Sequence, residues 1–432
     1  MKKLLLLLII PFLSFGQGWE TTFGEENQDR GKSIQQTNDG GYIICGYGAY
    51  IDEVSGVLNN DIYLIKTNNI GTEEWSQMYG GGGDDLGESV QQTSDGGYIL
   101  FGSTTSFGER DFYLIKLDPI GNEQWSQTYG DIDNDWGYSA QQTNDGGYIM
   151  FGYCAGEGDG LSLIKTDENG NEEWMQSYGS YPGDSGEVQQ TNDGGYVFCG
   201  MSGKAAAIFK VDENGNEEWT QSFDIFYPSW NVDMANSVKQ TNDGGYIVCG
   251  MSFWYSSGLQ FDSYDVALIK TDQNGNEEWS ESFGGYSEYG GFYDEGFSVQ
   301  QTNDGGYIIT GRTSSFGNGG SDLYLIKTNS YGEEQWFQTY GGGGFDAGYS
   351  VTQNTDGGYA ICGEKTLNGN KDVYLIITDV SGNVNLDFHT TTLLNKKFVS
   401  TIDILGRETN NNKGLQLHIY DDGSVEKKYV IK

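Results

Sequence analysis

Ser33-Ile34-Gln35-Gln36-Thr37-Asn38-Asp39-Gly40-Gly41-Tyr42-Ile43-Ile44-Cys45 is the stretch on which the reading of this chain turns. A short polar strand runs into Asp-Gly-Gly-Tyr, whose glycines permit the positive φ of a tight turn, and an apolar strand follows. The core of the pattern returns at Asp95, Asp145, Asp193, Asp243, Asp304 and Asp356, at intervals of 48 to 61 residues. A strand-built repeat of about 50 residues marks a ring of β-sheet blades. Downstream of the first copy, Asp61–Thr67 reads as a third strand, Asn68-Asn69-Ile70-Gly71 as a turn and Glu74–Tyr79 as a fourth strand. The second and third strands are apolar on both faces, as in a sheet sandwiched between two others. The expected fold is therefore all-β, a seven-bladed propeller of four-stranded antiparallel blades with a small β module at the C-terminus.

The fourth strand carries Trp-x-x-x-(Tyr/Phe), as Trp75/Tyr79, Trp125/Tyr129, Trp174/Tyr178, Trp219/Phe223, Trp279/Phe283 and Trp336/Tyr340. The seventh copy, from Asp379 to Val384, has no Trp. Trp19-Glu20-Thr21-Thr22-Phe23-Gly24 supplies the missing pattern at the other end of the chain. The N-terminal strand is thus expected to complete the seventh blade, with Trp19 and Phe23 closing the ring and removing its exposed edges. An indole buries about 150–250 Å², and one per blade is what packing between blades requires. The repeat lysines Lys66, Lys116, Lys165, Lys210, Lys270 and Lys327 are expected to pair with acidic residues of the turns, Ile377 standing there in the last copy.

Glycine is abundant (67 against 4 Pro) with no triplet period, and 14% of residues are aromatic, which suits turn-dense β-structure and not disorder. The formal charge of -39 repels phosphate backbones and anionic headgroups, so nucleic acid is not expected as a partner. Met1-Lys2-Lys3, the apolar run Leu4–Leu13 and Ser14-Phe15-Gly16 make residues 1–16 a signal peptide. That run is too short for a membrane span, which needs about 20 apolar residues. The mature chain is expected to start near Gln17, to have no transmembrane helix, to be secreted or on the cell surface, and to be monomeric. Residues 17–383 form the ring in this reading, and residues 384–432 a separate module. Cys45, Cys199, Cys249 and Cys362 share one repeat position that elsewhere holds Phe101, Phe151 or Thr310. With Cys154 they read as buried free thiols.

Lys165-Thr166-Asp167-Glu168-Asn169-Gly170-Asn171-Glu172-Glu173-Trp174 and its copies look like the Trp-docking motif of quinoprotein-like propellers. More closely, residues 19–380 resemble the Gly/Trp-rich propeller repeats of proteins exported by type IX secretion bacteria, a group sometimes labelled endoglucanase. The tail, through Thr401-Ile402-Asp403-Ile404-Leu405-Gly406-Arg407-Glu408 and Ile419–Lys428, resembles a short type IX sorting segment. That resemblance implies secretion machinery as a partner of the tail.

Both histidines, His389 and His418, lie in the tail, which removes histidine-dependent triads and His-based zinc or copper sites from the ring. Asp167-x-Asn169-x-Asn171 echoes the start of an EF-hand loop but lacks its glycine at position six and its closing glutamate, so a hairpin turn explains it. No cofactor, no metal ligand and no catalytic residue is assigned. Ca2+ is the one ion that the acidic composition leaves open.

In four-stranded blades the Asp-Gly-Gly and Asp-x-Asn-Gly-Asn turns fall on one face and vary little. The opposite connections vary widely, the longest being Gly46–Asn60, Asp224–Asp233, Gly250–Tyr264 and Gly284–Glu295. Variable loops on a uniform scaffold are where binding surfaces are built. Trp136, Trp230 and Trp254 fall outside the repeat and are assigned to those loops, with Tyr227, Phe253, Tyr255, Tyr289 and Tyr293 and the carboxylates of Asp233 and Asp265. Such a set suits stacking on sugar rings or anchoring a protein. The expected function is a non-catalytic scaffold for binding or adhesion, with a polysaccharide or a cell-surface protein as ligand. A carbohydrate-active enzyme or accessory subunit, and a structural envelope component, are the alternatives.

Overall fold

The structure, a computed structural model, describes residues 18–24, 28–51, 58–130, 132–156, 160–179, 186–223, 233–255, 262–285, 291–384, 398–402, 414–420 and 425–430. Residues 1–16, read from sequence as a signal peptide, lie outside them. The chain divides into two compact units, Met1–Val384 and Asn385–Lys432. The second holds a three-stranded antiparallel sheet of Phe398–Ile402, Gly414–Tyr420 and Val425–Val430.

The first unit is a seven-bladed β-propeller of four-stranded antiparallel sheets. Blade one shows the plan: β2 (Asp29–Gln36) lines the centre, followed outward by β3 (Tyr42–Ile51), β4 (Leu58–Thr67) and β5 (Glu73–Tyr79). The N-terminal strand β1 (Trp19–Phe23) is the outer strand of the seventh blade. It pairs antiparallel with Asn370–Thr378, Trp19 opposite Ile377 and Phe23 opposite Val373. This is the register that sets Trp75 opposite Lys66 in blade one. First and last blades are thus joined.

Each repeat residue has a lateral task. The outer-strand indole of one blade lies against the turn glycine of the next: Trp19 on Gly71, Trp75 on Gly121, and so on to Trp336 on Gly382. Gly71 adopts φ +75°, and a Cβ there would sit 2.0 Å from the Trp19 ring, so the turn and the docking both require glycine. The same indoles meet the Tyr of the neighbouring Asp-Gly-Gly-Tyr, Trp19 on Tyr42 at 6.4 Å and Trp75 on Tyr98 at 6.0 Å between centroids. Nearer the axis, the last Gln of each innermost strand accepts the turn N–H of the preceding blade. Asn38 donates to Gln92 at 2.9 Å, and the ring ends with Thr355 donating to Gln36 at 3.1 Å.

The repeat lysines do pair with the turns. Lys66 is buried between Asp39 and Glu74, each at 2.9 Å, and donates to the Thr67 carbonyl at 2.8 Å. Burial alone would raise the Asp39 pKa. The Thr37 hydroxyl, the Lys66 ammonium and the Gly41 N–H outweigh it and bring it down to about 2. The Asp167 carboxylate accepts the N–H groups of Asn169 and Asn171 at 2.8 and 2.9 Å, the hairpin turn expected from the sequence. All five cysteines are buried and free. Among the described residues no helix is long and apolar enough to cross a membrane.

Candidate functional site

The innermost strands start on the variable-loop face and end at the uniform turns. Six of them carry a β-bulge at the same point, between Gly31 and Ser33 in blade one and between Gly348 and Ser350 in blade seven. A bulge sets one residue out of register and re-aims its side chain. The residues so placed are Lys32, Glu88, Tyr138, Asn236, Phe297 and Tyr349. They are a cation, an anion, an amide and three aromatic rings, although the flanking positions barely change. Together they line a cavity of about 560 Å³ at the centre of the ring, within the roughly 300–1,000 Å³ of small-ligand sites.

The serine after each bulge bridges inner strands. Val90 N–H donates to Ser33 Oγ at 3.2 Å, and Val299 N–H donates to Ser237 Oγ at 3.2 Å. Blade four breaks this rule. Its inner strand Val188–Gln190 is entered through Gly186-Glu187, one residue short and without the serine. The Glu187 carboxylate takes that place, accepting from Ser237 Oγ at 2.6 Å and pairing with Lys239.

Charge in the cavity is paired. Lys32 faces Glu88 at 3.4 Å and lies 4.6 Å from the centroid of the Tyr349 ring. Burial works against the Lys32 charge, but Glu88 and the tyrosines around it raise its pKa overall. Arg312 holds Glu295 at 2.9 Å and spans Phe297 and Phe345. Arg30 reaches the Tyr47 hydroxyl at 3.2 Å and is anchored from behind by Glu364 at 2.9 Å.

At the edge of the cavity stands an aromatic row. Phe253 packs on Tyr264 at 5.1 Å, and Tyr264 stacks on Tyr293 at 5.2 Å with 21° between the planes. The stack is set by backbone, because Tyr264 N–H donates to the Phe292 carbonyl at 2.9 Å and Tyr293 N–H to Ser314 Oγ at 2.7 Å. Tyr264 and Tyr293 line the cavity, and Tyr293 is 49% exposed.

Of the residues singled out from sequence, the structure brings together Phe253 and Tyr293. Trp136 is not in a loop: it opens the innermost strand Trp136–Gln142 and packs on Tyr153 at 5.9 Å. Trp254 and Tyr255 belong to a strand as well, since Tyr246–Tyr255 pairs with Asp262–Thr271 and leaves little of the Gly250–Tyr264 connection as loop. Their side chains, and Tyr227, Trp230 and Tyr289 altogether, lie outside the described residues. Asp233 is buried and accepts the Phe253 N–H at 2.9 Å. Asp265 faces Asp294, and burial together with that second charge pushes it up to about 6. Neither carboxylate lines the cavity.

No family model and no curated protein matches this sequence. Solved structures with a similar fold include quinohemoprotein alcohol dehydrogenase from Comamonas testosteroni (12% identity, TM-score 0.44, 86% of this chain and 77% of that one). Others are a protein of unknown function from Dyadobacter fermentans (10%, 0.44, 83% and 97%) and Drosophila plexin A in complex with semaphorin 1b (8%, 0.47, 84% and 88%).

Proposed function

We propose that the ring is an exported, non-catalytic binding scaffold that seats a glycan at the variable-loop end of its central cavity. The observation that carries this reading is the set of bulged, chemically dissimilar side chains presented into one cavity by an otherwise uniform frame. The stacked Tyr264–Tyr293 pair adds a flat apolar edge for a sugar face, and the paired charges offer hydroxyl groups both donors and acceptors. A hydrolytic reading needs two carboxylates working across one bond. The cavity glutamates Glu88, Glu187 and Glu295 are instead each engaged by a cation. Tyr293→Ala is expected to weaken binding of the glycan selected by array screening about tenfold, or roughly 1.4 kcal/mol, without moving the melting temperature. Calorimetric titration showing full affinity in that variant refutes the placement.

Export rests on the sequence of both ends, and we assign residues 385–432 the role of a sorting signal read by secretion machinery. Their removal is expected to leave the ring folded but undelivered. Surface labelling that finds the truncated chain delivered normally removes that role.

A further inference from the structure

Six of the seven outer strands lead into a glycine, and at five of these glycines two aspartates converge from different blades. A Cβ on Gly80 would lie 2.5 Å from Asp61 Oδ1 and 2.3 Å from Asp85 Oδ2. Asp61 comes from β4 of blade one, and Asp85 opens the innermost strand of blade two. The arrangement recurs at Gly130 with Asp111 and Asp135, at Gly284 with Asp265 and Asp294, at Gly341 with Asp322 and Asp346, and at Gly24 with Asp372 and Asp29. Blades three and four send no such aspartate, because their third strands begin at Gly160 and Ala205.

These are carboxylates set against carboxylates in poor contact with water. Asp85 is 0% exposed and Asp61 9%, and the Oδ1 atoms of both are buried with no hydrogen-bond partner. Asp85 Oδ2 is held by the Gly81 N–H at 2.8 Å and the Ser106 hydroxyl at 2.7 Å, which fixes the group in place. Among the described residues, no Lys or Arg pairs with Asp61, Asp85, Asp265, Asp294, Asp322 or Asp346. Six of the ring's lysines are engaged elsewhere, at the uniform-face turns of blades one to six. Two buried anions aimed at one point without a counter-charge repel strongly. The charge at the junction is incomplete as the chain alone supplies it.

We propose that the blade junctions at Gly80, Gly284 and Gly341 are divalent-cation sites of the Ca2+ class, each cation bridging the third strand of one blade to the innermost strand of the next. Oxygen-only donors with neither histidine nor thiolate select a hard cation. No group of three or more His, Cys, Asp or Glu gathers among the described residues, so each site is a two-carboxylate bridge. Its remaining ligands are neutral oxygens, and the six to eight oxygens that Ca2+ takes in flexible geometry allow water among them. The glycine is part of the site, because a methyl group there would fill the space between the carboxylates. The sequence reading assigned no metal ligand, since the paired aspartates are separated along the chain and meet only across a blade boundary.

The test uses the full chain, stripped with EDTA and titrated with CaCl2, followed by calorimetry and thermal melting. Saturable uptake of several equivalents is expected, with a melting temperature at least about 5 °C higher in 1 mM Ca2+ than in EDTA. Asp61→Asn, nearly isosteric, is expected to bind one equivalent fewer while melting in EDTA no lower than the wild type. An identical melting temperature in Ca2+ and EDTA overturns the proposal, and means that the pairs share protons instead. Uptake undiminished in Asp61→Asn also overturns it, and marks diffuse binding by the acidic surface.

Discussion

Trp19→Ala is expected to lower the unfolding free energy by about 3 kcal/mol, the lower end for removal of a large aromatic side chain, and to cost the ring its cooperativity. All seven outer-strand indoles dock on the next blade, but six do so between blades that are also consecutive along the chain. Trp19 docks the last blade onto the first. Its ring lies against Gly71 and Tyr42, and its strand completes the sheet of Ala347–Gln353, Tyr359–Leu367 and Asn370–Thr378. Beside it, Glu20 accepts the Tyr374 hydroxyl and pairs with Lys365 at 3.3 Å. Loss of the indole therefore loosens the contact that turns a row of blades into a ring. Trp125→Ala removes equivalent packing on Gly170 and Tyr148 inside the row and serves as the control. It is expected to shift the midpoint and leave one transition. Trp19→Ala is expected to show a broadened transition and faster amide exchange in residues 19–23 and 370–378. Melting of Trp19→Ala with wild-type midpoint and sharpness would sink the clasp model.

The ring was legible from sequence because packing between blades demands the same residue at the same point in every copy. Trp19 could be placed for that reason: it filled the one vacancy in a periodic pattern. The cavity was less legible for the complementary reason. Much of its lining comes from two registers where the repeat does not repeat, the bulged position held by Lys32, Glu88 and Tyr349, and the position after the second-strand glycine held by Met251 and Arg312. Variation inside a strand carries this signal, and it stands out when the copies are aligned about Gly-x-Ser, together with the missing serine at Glu187. Phe253 and Tyr293 were recognisable as aromatics that no blade requires, yet Trp136 and Trp254 belong to strands. Nothing in a single copy says that Asp61 will meet Asp85, because that contact depends on which strands of adjoining blades are neighbours in space.

Glu364→Ala is the second substitution with a large expected effect, about 3 kcal/mol of stability with a change in the ligands the cavity accepts. Glu364 is fully buried in the second strand of blade seven, and it holds Arg30 at 2.9 Å on one side and Lys371 at 2.7 Å on the other. Removing one partner of a buried ion pair costs about 3–5 kcal/mol, because the remaining charge stays desolvated. The lower figure applies here, since the Arg30 and Lys371 side chains keep 30% and 20% exposure and can turn toward water. Arg30 lines the cavity, so without its anchor the guanidinium is free to serve a bound ligand, and one negative charge behind the cavity wall is removed. Urea unfolding should show a lowered midpoint for Glu364→Ala and a smaller decrease for Glu364→Gln, which keeps volume and a hydrogen-bond acceptor. Binding screens should shift toward acidic sugars in both. A wild-type unfolding midpoint in Glu364→Ala would mean that the two cations are already solvated and that Glu364 does not position Arg30. An unchanged ligand profile alongside a lowered midpoint would instead separate the ion pair from the binding site, leaving Arg30 as part of the wall and not of the recognition surface.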